Sequence, residues 1–148
     1  MVLDSPTSEA ARSEPLLPTV LVVDDDPEAL SSLRRSLRSE AFHLLTTQSP
    51  FQALEWVRSA PIGLVITDEF MPGMLGTELL EAIRRCSPDT ATVLLTGYPK
   101  PSVLFRGFQQ RVDLFLAKPW GDQALRDAAV RLLHERAPRG IDSKGVRP

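Results

Sequence analysis

Apolar positions along this chain follow two rhythms in alternation. Short runs that are apolar at nearly every position, TVLVVD (19–24), IGLVITD (62–68) and ATVLLT (91–96), read as strands buried on both faces. FHLLTT (42–47) and VDLFLA (112–117) are two further strand candidates. Between and after them the spacing becomes helical. Leu30, Leu33 and Leu37 share one stripe in 27–40; Leu79, Leu80 and Ile83 share one in 76–85. Leu125, Ala128, Ala129 and Leu132 form a third in 120–136. Residues 49–59 also read as helix, with Ser49 and Gln52 placed for a capping box and Pro50 suited to the first turn. Residues 101–110 predict a weaker helix, interrupted by Gly107, and Asp26 before Pro27 reads as a plain N-cap. Five strand–helix units in alternation predict an α/β fold, a doubly wound parallel sheet with helices on both sides.

Composition narrows the function classes. At 148 residues the chain suits one domain, expected over 18–136. Residues 1–17 and 137–148 are poor in large apolar side chains and are expected to be loosely packed arms. A net charge of −2 offers no broad basic field, so direct binding to nucleic acid is not expected. Cys86 is the only cysteine, which rules out an internal disulfide or a cysteine metal site. No apolar run approaches the roughly 20 residues needed to cross a bilayer, so no membrane partner is expected. The start, MVLDSPTSEAARSEPLLP, lacks the charged-then-apolar signal pattern, and a cytoplasmic location is expected.

The chemistry-bearing residues collect at strand ends. LVVDDDP (21–27) stacks three carboxylates where a buried strand stops, and each raises the cost of ionising the others. The third strand ends at Asp68, the fourth at Thr96, and the fifth runs into Lys118. In an open parallel sheet these ends face one crevice. Asp24, Asp25 and Asp68 can then share a hard divalent cation, for which Mg²⁺ is the natural choice. Asp68 stands alone at its strand end and is the best candidate for a nucleophile that accepts a phosphoryl group.

VLVVDDDP, ITDEFMPGMLG, LLTGY and FLAKPW, in this order, resemble the receiver domain of bacterial two-component response regulators over roughly residues 18–136. The resemblance implies a flavodoxin-like sheet of order 2-1-3-4-5. It implies that Asp68 is the phosphoacceptor. Asp25 and Asp68 would bind Mg²⁺ directly, Asp24 mostly through water, and the Phe70 backbone carbonyl would complete the protein ligands. Thr96 and Lys118 would be the phosphoryl-sensing hydroxyl and amine, and Phe115 the aromatic switch. Phe70 and Tyr98 would border the path of the attacking water. Implied partners are a histidine kinase or phosphotransfer protein and a downstream effector protein, with homodimerisation through the fourth helix, fifth strand and fifth helix. At most the chain would catalyse its own phosphoryl transfer and dephosphorylation.

The sequence also departs from the family pattern. Phe115 replaces the commoner tyrosine, and Leu75 replaces a usually acidic residue, which weakens the start of the third helix. Pro99 and Pro101 flank Lys100 where the fourth helix should begin, and Gln110–Arg111 replaces a common glycine–alanine. Only residues 137–148 follow the core, so output by protein–protein contact is expected. Two alternatives are a pseudo-receiver that is never phosphorylated and a receiver excised from a longer regulator or hybrid kinase. A haloacid-dehalogenase-type hydrolase would need a second acid two residues after Asp68, where Phe70 stands. A flavin or P-loop site lacks its glycine-rich loop. His43 and His134 are isolated, Cys86 reads as a helix-end thiol, and Trp56 and Trp120 read as packing residues. Trp120 is near enough to Lys118 to report on the site.

Overall fold

Five strands form one parallel sheet in the order β2-β1-β3-β4-β5. They are β1 (Thr19–Val23), β2 (His43–Thr47), β3 (Leu64–Asp68), β4 (Ala91–Thr96) and β5 (Leu114–Ala117). Among the described residues five helices connect and follow them: α1 (Pro27–Ser36), α2 (Pro50–Ser59), α3 (Gly76–Cys86), α4 (Pro101–Gln109) and α5 (Asp122–Arg136). The computed structural model describes residues 16–97, 101–109 and 111–136. Tyr98, the Pro99–Lys100 pair, Gln110, the tail 137–148 and most of the N-terminal arm lie outside the described residues.

The predicted architecture and strand order are those observed. The central strands β1, β3 and β4 are almost wholly buried, as their continuous apolar runs require. The edge strands β2 and β5 are only partly covered, which matches the mixed sequence HLLTT and the short run LFLA. Side-chain alternation along the strands builds two cores. Val20, Val22, Leu64, Ile66, Val93 and Leu95 face α1 and α5, where they meet Leu30, Leu33, Leu125 and Leu132. Leu21, Val23, Val65 and Leu94 face α2, α3 and α4, where they meet Ala53, Leu79, Ile83 and Val103.

Most element ends fall within two residues of those the sequence predicts. The exception is α1, expected to run to residue 40 but ending at Ser36. Two partners outside the helix account for the stop. Arg126 donates to the Ser36 carbonyl at 2.8 Å, satisfying a helix-end acceptor, and Ser36 Oγ donates to Asp122 at 2.7 Å. The chain then turns so that Phe42 enters the core beside Leu37. Gly107 does not interrupt α4, which runs through it to Gln109. One interior glycine costs a helix only about 1 kcal/mol, which packing offsets.

The weak start expected for α3 is made good from elsewhere. Leu75 offers no side-chain cap, but the Glu78 carboxylate accepts from the Leu75 amide at 2.8 Å. The Glu69 carboxylate accepts from the Thr77 amide, also at 2.8 Å. Two carboxylates thus stand at the positive end of the helix in place of one N-cap.

Candidate functional site

The parallel sheet delivers the strand-end residues to one edge. The chain leaves β1 through Asp24 and Asp25, β3 ends on Asp68, β4 on Thr96, and Lys118 follows β5. Asp24, Asp25 and Asp68 each offer a carboxylate oxygen within 4.8 Å of the others. Lys118 Nζ donates to Asp68 Oδ1 at 3.0 Å. The Lys118 amide donates to the Thr96 carbonyl at 2.8 Å, which holds the ends of β4 and β5 in register beside the cluster.

Each carboxylate has a distinct environment. Asp68 is held at both oxygens, because the Phe70 amide donates to Oδ2 at 3.2 Å while Lys118 occupies Oδ1. Asp24 is buried; its Oδ1 accepts from the Asp26 amide at 3.0 Å. Its Oδ2 is also buried and has no hydrogen-bond partner. Burial pushes the Asp24 carboxyl above its ordinary value of 3.8. The Asp26 amide opposes the shift, the charge of Asp68 adds to it, Lys118 opposes it, and Asp25 adds again. A buried oxygen without a donor, beside two more carboxylates, suits a divalent cation with oxygen ligands. The donor set therefore fits Mg²⁺. Asp26 is the N-cap of α1, accepting from the Glu28 amide at 3.0 Å, as its sequence context predicts.

The other candidates take up stations around this cluster. Thr96 is buried at the end of β4. Phe115 is partly buried against the core beneath α2, α3 and α4. Phe70 stands at the rim with its amide on Asp68 and is 52% exposed. Trp120 packs against the opposite core, beneath α1 and α5. His43, His134 and Cys86 are exposed and belong to no metal cluster among the described residues.

Sequence reading overlooked two residues that frame the site. Glu69, next to Asp68, is fully buried, and its carboxylate accepts from Thr77 Oγ1 at 3.1 Å and from Arg106 of α4 at 2.8 Å. A charged residue inside the loop TDEFMP reads as solvent-exposed. Strand alternation is the one signal that separates it from Asp68, since it turns consecutive side chains to opposite faces.

The geometry agrees with what comparison with known proteins finds. A family model described as the response regulator receiver domain matches residues 20–130. The transcriptional regulatory protein GlrR of Escherichia coli (strain K12) is 33% identical over 119 residues, covering 80% of this chain. The chain spans 27% of the length of that regulator. A CheY-like response regulator receiver domain protein from Methanospirillum hungatei JF-1 has a similar structure, with a TM-score of 0.76 and 26% identity. That match covers 81% of this chain and 96% of the other. The signal receiver domain of an HD domain-containing protein from Pseudomonas fluorescens Pf-5 matches with a TM-score of 0.77 and 30% identity, over 81% and 97% of the two chains.

Proposed function

Because the chain belongs to the response regulator receiver family of two-component systems, we propose that it is a phosphoacceptor switch, phosphorylated on Asp68 in a Mg²⁺-dependent reaction and signalling by protein–protein contact. The observation that carries this reading is the Lys118 ammonium, 3.0 Å from Asp68 Oδ1, beside three clustered carboxylates.

The donor is a phosphohistidine of a kinase or phosphotransfer protein. An oxygen of the Asp68 carboxylate attacks the phosphorus. The P–N bond to the donor imidazole breaks, its electron pair stays on nitrogen, and a P–O bond to Asp68 forms. The carboxylate needs no general base, since it carries no proton to lose. Asp25, Asp68 and the Phe70 carbonyl, with Asp24 through water, would hold Mg²⁺, which neutralises charge on the phosphoryl oxygens. Lys118 changes acceptor, from Asp68 Oδ1 to a phosphoryl oxygen, so its ammonium stays paired throughout. Thr96, at the neighbouring strand end, donates its hydroxyl to another phosphoryl oxygen, and Phe115 follows it inward. Output then passes through the face of α4, β5 and α5, to an effector protein or a second copy of the chain.

Acetyl phosphate with Mg²⁺, followed by intact-mass analysis, tests the reading. Wild type is expected to gain one phosphoryl group, and Asp68→Asn or wild type in EDTA none. An unmodified wild type, or equal modification of Asp68→Asn, overturns it.

A further inference from the structure

The Glu69 carboxylate is the buried meeting point of two helices. Its side chain is 0% exposed and accepts from the Thr77 amide, from Thr77 Oγ1 and from Arg106 Nη2 at 2.8 Å. Thr77 belongs to α3 and Arg106 to α4, while Glu69 itself adjoins Asp68. We propose that the Glu69–Arg106 ion pair is a latch that holds α4 in its resting position against the phosphoacceptor loop. The inference rests on Asp68 being the phosphoacceptor.

The two ends of the pair are held unequally. Besides Arg106, Glu69 accepts from the Thr77 amide and hydroxyl at the positive end of α3, so two donors and the helix end still compensate its charge when Arg106 leaves. Arg106 is 34% exposed in its side chain, and its Nε is buried without a hydrogen-bond partner. Outward movement would hydrate that Nε and the rest of the guanidinium. A buried pair usually resists opening because one charge is left stranded. Here Glu69 keeps the two Thr77 donors and Arg106 gains water, so opening costs less than breaking a fully enclosed pair.

A modification of Asp68 reaches α4 by two short routes. One passes through Glu69, the next residue. The other passes through Thr96, because only residues 97–100 separate it from Pro101 at the start of α4. The latch is closed in the same arrangement in which Lys118 occupies Asp68 Oδ1. An interaction made in one state only biases the equilibrium toward that state, and its removal must tighten binding of whatever favours the other.

Titration with beryllofluoride, a phosphoryl mimic, at saturating Mg²⁺ tests this, read by tryptophan fluorescence and by amide shifts of residues 102–106. Arg106→Gln and Glu69→Gln break the pair from either side, and Arg106→Lys keeps it. Apparent affinity is expected to rise about fivefold in the first two and to stay near wild type in Arg106→Lys. Amide shifts of the two glutamine variants without the mimic should already move toward those of liganded wild type. Unchanged affinity in whichever glutamine variant retains native near-ultraviolet circular dichroism overturns the latch. A wild type with no Asp68-dependent response overturns the phosphoacceptor reading, and the latch with it.

Discussion

Gly76 lies so close to Asp68 that a Cβ on it would sit 2.1 Å from the Asp68 carbonyl oxygen. The first turn of α3 therefore packs directly on the backbone of the candidate phosphoacceptor. Its amide donates to the neighbouring Glu69 carbonyl at 2.8 Å, closing the loop between them. No rotation of a side chain can relieve the clash, because the opposing atom is main chain. Gly76→Ala is expected to destabilise the fold by about 2 kcal/mol, as overpacking of a tight contact does. It should also slow acetyl phosphate labelling well beyond the loss of folded protein. Urea unfolding and labelling of the folded fraction measure the two effects separately. Wild-type values for both would show that the loop tolerates the methyl group.

Asp24 makes a pH prediction with a definite sign. Its folded-state pKa is raised, so the protonated form favours the folded chain. Without a divalent cation, that contribution is fully present below 3.8 and is lost as pH rises through the raised value. Mg²⁺ reverses the trend, since it needs the ionised carboxylates. Thermal unfolding in EDTA should therefore show wild type losing stability relative to Asp24→Asn as pH rises across this window. Added Mg²⁺ should raise the wild-type midpoint more at neutral pH than in acid. Parallel curves for the two proteins would assign Asp24 no such cost.

Phe70 is proposed to bear on how long a phosphoryl group on Asp68 persists. It adjoins the site through its amide but carries no polar group that can orient a water. Phe70→Asn is expected to shorten the phosphoryl half-life by up to tenfold, which requires only about 1.4 kcal/mol in the barrier. Magnesium affinity should not change, because only the backbone carbonyl of Phe70 would serve as a ligand. The half-life is read by following loss of the phosphoryl mass after the donor is removed. An unaltered half-life would discard the shielding role.

Arg111 adopts a positive φ of 58°, in the left-handed region that favours glycine. It lies in the short connection into β5, where the sequence departs from the family's usual glycine–alanine. Arg111→Gly should relieve that strain and raise stability by about 1 kcal/mol. Chemical denaturation reads the change directly, and a loss of stability would mean that the arginine side chain contributes more than its backbone costs.

Legibility in the sequence followed the range over which each feature is decided. Asp24, Asp25, Asp68 and Lys118 could be gathered in advance because each follows an apolar run, and parallel strands align all such ends on one edge. The N-cap at Asp26 and the cap of α2 at Ser49, which accepts from the Gln52 amide at 3.1 Å, were local and equally clear. The end of α1 was not. Helical spacing continues through Leu37, and the stop depends on Arg126, 90 residues away. Glu69 was hidden for the same reason. Its burial is compensated by Arg106, 37 residues along the chain, and no local pattern pairs the two. The start of α3 looked weak at Leu75 because its capping comes from Glu78 inside the helix and from Glu69, a residue before the turn.

The contacts at Ser36 also bear on synthesis from the ribosome. The first helix of the described chain obtains its closing partners, Asp122 and Arg126, only from the last. Among the described residues, the side of the sheet under α2, α3 and α4 draws on none beyond residue 115. The other waits for Leu125, Ala129, Leu132 and Leu133. Newly made chains therefore pass through an interval with one face sealed and the other an open apolar surface. A chain halted at residue 119 is predicted to bind a hydrophobic dye that the finished protein excludes. Absence of dye binding would mean that α1 can cover that face alone.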